Sequence, residues 1–173
     1  AGDIHDKLMA LGSNLVVQTV ESIIDKSVEL RLQKSFIQGS EVLKPAPKLT
    51  RELCHIDWNG KTKDIYNLIR GLSPYPAAFT ELTKEGKEPQ QMKIFFGEKV
   101  TGDAFNALLA ENGRDSAAPG EVLSDGRNYL AISTEDGAIS ITDLQLSGKK
   151  RMAVKDFLIG FRDASSYGTT KGT

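Results

Sequence analysis

The sequence predicts a mainly β domain, a small closed or nearly closed barrel with flanking helices, and a separate helical segment in front of it. Short apolar runs between residues 78 and 142 alternate in the way typical of strands. Asp125-Gly126 and Asp136-Gly137 supply the tight turns of two hairpins. Closely spaced short strands joined by such turns favour a barrel over a sandwich.

The N-terminal segment is expected to be helical. Ile4, Leu8, Leu11, Leu15 and Ile23 recur at helical spacing, and this apolar stripe needs a packing partner. The stripe is therefore interpreted as the C-terminal remnant, residues 1–37, of a larger domain. Alternation over residues 28–32 predicts an edge strand. Prolines 45 and 47 disfavour helix and predict an extended, semi-rigid basic linker over residues 38–52.

The barrel domain is assigned to residues 53–163. Thr62 is the expected N-cap of a helix that ends near Leu72, before a proline-rich turn. Strands are predicted at 78–82, 92–96, 120–123, 129–133 and 138–142, and a last helix at 154–159. Residues 102–118 are polar and turn-rich, which predicts a loop, although residues 104–110 show a weak helical pattern. Residues 164–173 are rich in Gly, Ser and Thr and are expected to form a flexible tail.

Composition limits the functional classes. Among 173 residues, 39% are hydrophobic and 26% charged, close to the globular average, so the chain is not expected to be disordered. No apolar run approaches the length of a membrane span, and the first residues do not resemble a signal peptide. Cys54 is the only cysteine, which excludes an intramolecular disulfide and fits a cytoplasmic location. One cysteine and two distant histidines give no zinc-binding spacing, so no metal is expected.

Charge is unevenly distributed although the net charge is only −1. Residues 44–70 hold six basic and three acidic side chains, and residues 145–162 hold five basic and one acidic. Two basic islands on a neutral chain can form a nucleic-acid footprint that the total hides. Lys149, Lys150 and Arg151 follow a predicted strand, where a rim loop of a barrel could direct three cations toward nucleic acid; ordinary solvated surface is the alternative.

Residues that could carry catalysis are few. His5 is expected on the surface of the first helix. His55 lies next to Cys54, but neighbouring residues of an extended strand point to opposite faces, so structural roles are favoured for both. Trp58 is expected to be a buried anchor. The sequence contains no phosphate-binding glycine-rich loop and no dinucleotide fingerprint.

Several stretches, in the right order, resemble the methionyl-tRNA formyltransferase family. They extend from residue 4 to about 162, and the most specific is the signature at 67–76, Asn-Leu-Ile-Arg-Gly-Leu-Ser-Pro-Tyr-Pro. The others are the opening 4–8 with 11–12, the linker 46–50 with 56–58, and the segments 119–123, 136–139, 144–146 and 148–152.

The resemblance implies an OB-like C-terminal barrel, preceded by the end of an α/β Rossmann-like formyltransferase domain. The complete enzyme would transfer a formyl group from 10-formyltetrahydrofolate, its co-substrate, to methionyl initiator tRNA. The family's catalytic Asn/His/Asp residues would lie before Ala1, so this chain is expected to be inactive, with no cofactor and no catalytic residue of its own. Its expected partners are initiator tRNA and the missing catalytic domain of the same protein, and no membrane.

The same resemblance implies that tRNA is bound through basic residues of the linker, the helix signature and the rim loop. Arg70 could equally hold the Pro-Tyr-Pro turn that follows it. The candidates are Lys48, Arg51, Arg70, Lys149, Lys150 and Arg151.

Two alternatives remain. One is a related folate-dependent formyltransferase or hydrolase with a non-tRNA substrate, which would not need the basic linker and loop. The other is a stand-alone OB-type binding module, which would not need the unpartnered helix at 4–23.

Overall fold

A computed structural model gives the structure of the chain and describes residues 1–37, 39 and 42–170. The chain divides into two compact units, one from Gly2 to Leu49 and one beginning at Thr50.

The first unit consists mainly of one helix. Helix α1 spans Gly2–Ile24, as the periodicity predicts, and a 3-10 turn spans Gln33–Phe36. No residue of α1 is buried. The predicted strand at 28–32 is wrong, because these residues have no regular structure; alternation alone does not make a strand where no neighbouring strand offers hydrogen bonds. The predicted linker has no regular structure over 42–49, and its residues 38, 40 and 41 lie outside the described part.

The second unit is an antiparallel barrel, which confirms the predicted fold. The strands are β1 (Ala78–Thr83), β2 (Gln90–Val100), β3 (Val122–Ser124), β4 (Leu130–Ser133), β5 (Ala138–Leu146), β6 (Met152–Ala153) and β7 (Gly168–Thr169). They form one sheet in the order β3-β4-β5-β2-β1-β7, with β6 paired to β5. The sheet is brought together at its ends by an antiparallel bridge between Glu121, just before β3, and Gly168.

Helices cover the barrel at several points: α2 (Arg51–Cys54), α3 (Thr62–Leu72), α4 (Asp103–Glu111) and α5 (Val154–Gly160). The α3 helix is capped from a distance. Its N-cap position is Lys61, not Thr62 as predicted, and Lys61 makes no side-chain capping bond. Asp136, in the turn between β4 and β5, instead accepts hydrogen bonds from the Thr62 amide at 2.8 Å and the Thr62 hydroxyl at 2.7 Å. This carboxylate satisfies an amide that the helix leaves free and joins α3 to the hairpin.

The loop predicted for 102–118 is wrong over residues 103–111, which form α4. Little of the helix is buried: Leu109 packs with Leu123 and Ala131 of the neighbouring strands. Asn112 follows the helix, and its side chain donates to the Leu108 carbonyl and accepts from the Ser124 amide. Contacts with residues distant in the sequence therefore help to fix the helix, and the weak local pattern alone did not predict it.

The flexible tail predicted from residue 164 is wrong for residues 164–170. Ala164 and Tyr167 are buried, at 1% and 6% exposure, and β7 pairs with Leu82 and Thr83 of β1. The Thr169 amide also donates to the Gly120 carbonyl at 3.1 Å. The segment that composition predicts to be flexible therefore closes the barrel. Residues 171–173 lie outside the described part.

Candidate nucleic-acid interface

One row of side chains crosses the outer face of the barrel. The register places Phe79 of β1 opposite Lys93 of β2, and Lys93 opposite Gln145 of β5. Residues directly opposite each other in a sheet share a face, and the flanking Met92 and Ile94 point into the core at 0% exposure. Phe79, Lys93 and Gln145 therefore lie on the same outer face of the sheet, across two strand spacings of about 4.8 Å each, although Phe79 is covered there and only 6% exposed.

Both basic islands of the sequence reach this row. Arg51, the first residue of α2, has its guanidinium carbon 5.2 Å from the centroid of the Phe79 ring. At the other end, the Gln145 side-chain amide donates to the Lys149 carbonyl at 2.8 Å, which fixes the turn between β5 and β6 to the sheet. We call Arg51, Lys93, Lys149 and Lys150 the basic face; Lys93 is half-buried and the other three cations are exposed.

The three lysines of the basic face can bind an anion, because no acidic side chain among the residues that the structure describes occupies them. Within residues 1–37, 39 and 42–170, none of Lys93, Lys149 and Lys150 forms an ion pair. Lys93 and Gln145 line an open groove of about 210 Å³ that continues over Gln91 to Gly148 in the turn. One unpaired ammonium group at a polar groove, with two more in the adjoining turn, forms a site suited to the phosphates of a nucleic acid.

Arg151 differs from the two lysines that precede it. Its Nε and Nη2 donate to the two carboxylate oxygens of Asp143, at 2.9 and 2.7 Å. The hydrogen bond with Asp143 raises the pKa of Arg151 above its ordinary value. Its guanidinium carbon also lies 4.3 Å from the centroid of Phe95. One edge of the guanidinium, formed by Nε and Nη2, is thus committed to a carboxylate of the same chain.

The other two predicted cations are not part of this row. Arg70 lies in the last turn of α3, 5.2 Å from the Tyr66 ring, and Lys99 lies at the same distance from that ring. Arg70 and Lys99 thus form a separate cationic pair around an aromatic residue. Lys48 belongs to the first unit and is exposed in a segment without regular structure.

The residues weighed for catalysis have structural surroundings. Cys54 is buried at the end of α2, and Trp58 is 1% exposed and donates to the Thr80 hydroxyl at 3.0 Å, which confirms it as a buried anchor. His55 packs on Phe79 with ring centroids 5.1 Å apart and lies 3.3 Å from the Thr170 hydroxyl. In the described part of the chain, no three His, Cys, Asp or Glu residues are grouped as a metal site would require.

Sequence reasoning missed Lys93 as a member of the basic face. Its position between Met92 and Ile94 in an alternating strand predicts an outward side chain. The sequence does not say which strand lies beside it, and only the pairing of Lys93 with Gln145 brings it to the β5–β6 turn.

Fold and surface together define the second unit as a small antiparallel β-barrel domain with a basic outer face. The family described as formyl transferase, C-terminal domain, matches residues 48–162, which cover the linker end, the barrel strands β1–β6 and α5. The chain belongs to this family. Within the described residues, no helix is both long enough and apolar enough to span a membrane.

Relatives match over nearly the whole chain. This chain is 38% identical over 164 residues to the methionyl-tRNA formyltransferase of Parabacteroides distasonis. The match covers 95% of this chain and 47% of that protein. The methionyl-tRNA formyltransferase of Azobacteroides pseudotrichonymphae is 45% identical over 92% of the chain and 46% of its own length, and that of Halalkalibacterium halodurans is 36% identical over 99% and 48%. The chain thus spans about half the length of these relatives. Among solved structures, HypX from Aquifex aeolicus is similar with a TM-score of 0.48 and 21% identity, over 88% of this chain and 24% of that one.

Proposed function

We propose that the barrel binds tRNA through its basic face, as the tRNA-gripping part of a methionyl-tRNA formyltransferase. The observation that carries the proposal is the strand register. It sets Arg51, Lys93 and the Lys149-Lys150 turn side by side on one outer face, although they are far apart in sequence. The similarity to methionyl-tRNA formyltransferases supports tRNA as the nucleic acid.

Electrostatics supports binding to a phosphate backbone in particular. The basic face carries four cations. Its neighbouring carboxylates are Glu52, which follows Arg51 in α2, Glu81 on β1, and Asp143, which is paired with Arg151. Each phosphate neutralised by such a cation releases condensed counterions, so the affinity should fall steeply with salt. The overall charge of −1 does not oppose this, because screening limits repulsion from distant acidic groups to about 10 Å at 0.1 M salt.

Titration of a fluorescein-labelled initiator tRNA transcript from Bacteroides thetaiotaomicron, the source of another relative, tests the proposal by anisotropy at several salt concentrations. The double variant Lys149→Ala/Lys150→Ala should weaken binding and make the slope of log affinity against log salt shallower by about two. Lys93→Ala should make it shallower by about one.

A matched control is Lys155→Ala, which removes an exposed lysine of α5 outside the row. Its affinity should be that of the original chain. The proposal fails if the unmodified chain shows no binding to tRNA at low salt, or if the double variant and Lys155→Ala behave alike.

We propose further that the full-length protein moves a formyl group from 10-formyltetrahydrofolate to methionyl initiator tRNA, and that this chain alone does not. Incubation of the chain with both substrates should give no formylmethionyl-tRNA, and measurable product would contradict the assignment. The alternative, a formyltransferase or hydrolase with a non-tRNA substrate, predicts no tRNA binding by the basic face, so the titration above separates the two.

A further inference from the structure

Two consecutive aromatic residues on β2 contact the same guanidinium. The pairing of β2 with β5 is irregular between Ile94 and Gly97, where Phe96 lies opposite Asp143. A bulge of this kind gives one strand an extra residue and redirects its side chains. As a result the Arg151 guanidinium carbon lies 4.3 Å from the Phe95 centroid and 5.5 Å from that of Phe96. We call Phe95, Phe96 and Arg151 the aromatic platform.

The platform is held in place from two sides. Asp143 binds one edge of Arg151 through Nε and Nη2, and the guanidinium carbon lies 4.3 Å from the centroid of Phe95, which is only 6% exposed. Arg151 nevertheless keeps 39% of its side-chain surface exposed, and Phe96 is 50% exposed. A planar cation fixed at its edge and backed by an aromatic ring offers its remaining face for stacking rather than hydrogen bonding.

The platform adjoins the basic face. Arg151 directly follows Lys150, and Phe96 is on the strand that carries Lys93. Asp143 and Gln145 are alternate residues of β5 on the same outer side, so the carboxylate that holds Arg151 neighbours the amide that holds Lys149. A nucleic-acid backbone that crosses the basic face would bring its bases next to Phe96.

We infer that the aromatic platform stacks an unpaired nucleobase of the bound RNA, and that Arg151 acts in this stack rather than as a phosphate ligand. This inference rests on the proposed RNA binding and adds the chemical feature that the surface selects. Stacking on aromatic rings and guanidinium planes is the common way for proteins to hold unpaired bases. The cations of the basic face supply the contacts to the backbone, and the platform supplies a preference for single-stranded over paired segments.

The inference is tested with two RNA probes and the whole chain. One probe is a single-stranded 12-nucleotide RNA with a central 2-aminopurine, and the other is a blunt duplex of the same length. Phe96→Ala should weaken binding of the single strand about five- to tenfold, the lower part of the range for one stacked base. It should also abolish the 2-aminopurine fluorescence change on binding and leave the duplex affinity unchanged.

Arg151→Lys separates stacking from phosphate contact. Lysine keeps the charge but loses the planar, two-point contact with Asp143. Weaker binding of the single strand with an unchanged salt slope supports the stack. Retained affinity in Arg151→Lys, together with a salt slope shallower by about one in Arg151→Ala, would identify Arg151 as a phosphate ligand and overturn the inference.

Phe36→Ala is the matched control for an exposed phenylalanine, since Phe36 is 66% exposed and lies in the first unit. It should bind both probes normally. The inference is also overturned if Phe96→Ala binds the single strand as well as this control does. That outcome leaves the proposed function intact, whereas absence of binding by the unmodified chain removes both.

Discussion

Replacement of Tyr167 by alanine should destabilise the barrel strongly, because this residue anchors the segment that closes it. Tyr167 is 6% exposed, and its ring centroid is 4.7 Å from that of Phe161, which in turn stacks on Phe157 at 4.6 Å. Lys84 and Lys87 lie over the same ring, at 5.1 and 5.4 Å. The strand β7 begins at the next residue.

The magnitude follows from the size of the buried ring. Truncation of a buried aromatic residue to alanine costs about 3–5 kcal/mol. The ring lies where the C-terminal segment meets the barrel, and solvent can enter the vacated space, so we expect the lower end, about 3 kcal/mol. Loss of two cation–π contacts adds little, because Lys84 keeps its ion pair with Asp163 and the exposed Lys87 regains hydration.

Urea denaturation followed by the emission of Trp58 measures this loss. Trp58 is the only tryptophan and is 1% exposed, so its emission should shift when the barrel unfolds. Tyr167→Phe is the matched control: it removes only the hydroxyl that accepts from Lys87 at 2.9 Å and should cost less than about 1 kcal/mol. A Tyr167→Ala variant within about 1 kcal/mol of the original chain would refute the idea that residues 164–170 seal the barrel.

Three further predictions concern turns. Asp136→Ala should cost about 1–2 kcal/mol in urea unfolding by removing the remote cap of α3, and Asp136→Asn, which keeps an oxygen acceptor, should cost clearly less; equal losses would argue against the cap. Gly126→Ala should cost more than Gly148→Ala in the same assay. Both have positive φ, at +70° and +75°, but a Cβ at Gly126 would lie 2.5 Å from the Arg162 carbonyl oxygen and one at Gly148 would meet nothing; similar costs would contradict this contact. Although partial burial opposes ionisation of Asp125, hydrogen bonds from three backbone amides and the Asn128 side chain lower its pKa to about 2. Its stabilisation, about 1 kcal/mol after allowance for solvent screening, should be complete above pH 4 and lost as pH falls toward 2, and Asp125→Asn should flatten the stability profile there; an unchanged profile would refute it.

Local sequence patterns predicted those elements whose cause is local. The hairpins at Asp125-Gly126 and Asp136-Gly137, the strands they join and the helix after Ala153 occur where expected, since turn chemistry and alternation act within a few residues. The helix α4 was missed because its position depends on Leu123 and Ser124, which are remote in sequence. The same holds for β7, whose partners are Leu82, Thr83 and the backbone of Gly120.

The sequence by itself determined that this protein contains a small antiparallel barrel of the formyl transferase C-terminal family, with two basic stretches and a buried tryptophan anchor. Alternation, turn residues and charge distribution predict the barrel, the basic stretches and the anchor, because these properties depend on neighbouring residues, and the family follows from the resemblance of the motifs between residues 4 and 162. Only the tertiary structure determined which cations lie next to one another and which are paired with an acidic residue. It set Lys93 beside the turn of Lys149 and Lys150, and it committed Arg151 to Asp143 and Phe95. The physical reason is that these contacts depend on the register between strands, which joins residues far apart in the chain such as Lys93 and Gln145 and is not fixed until the sheet has closed.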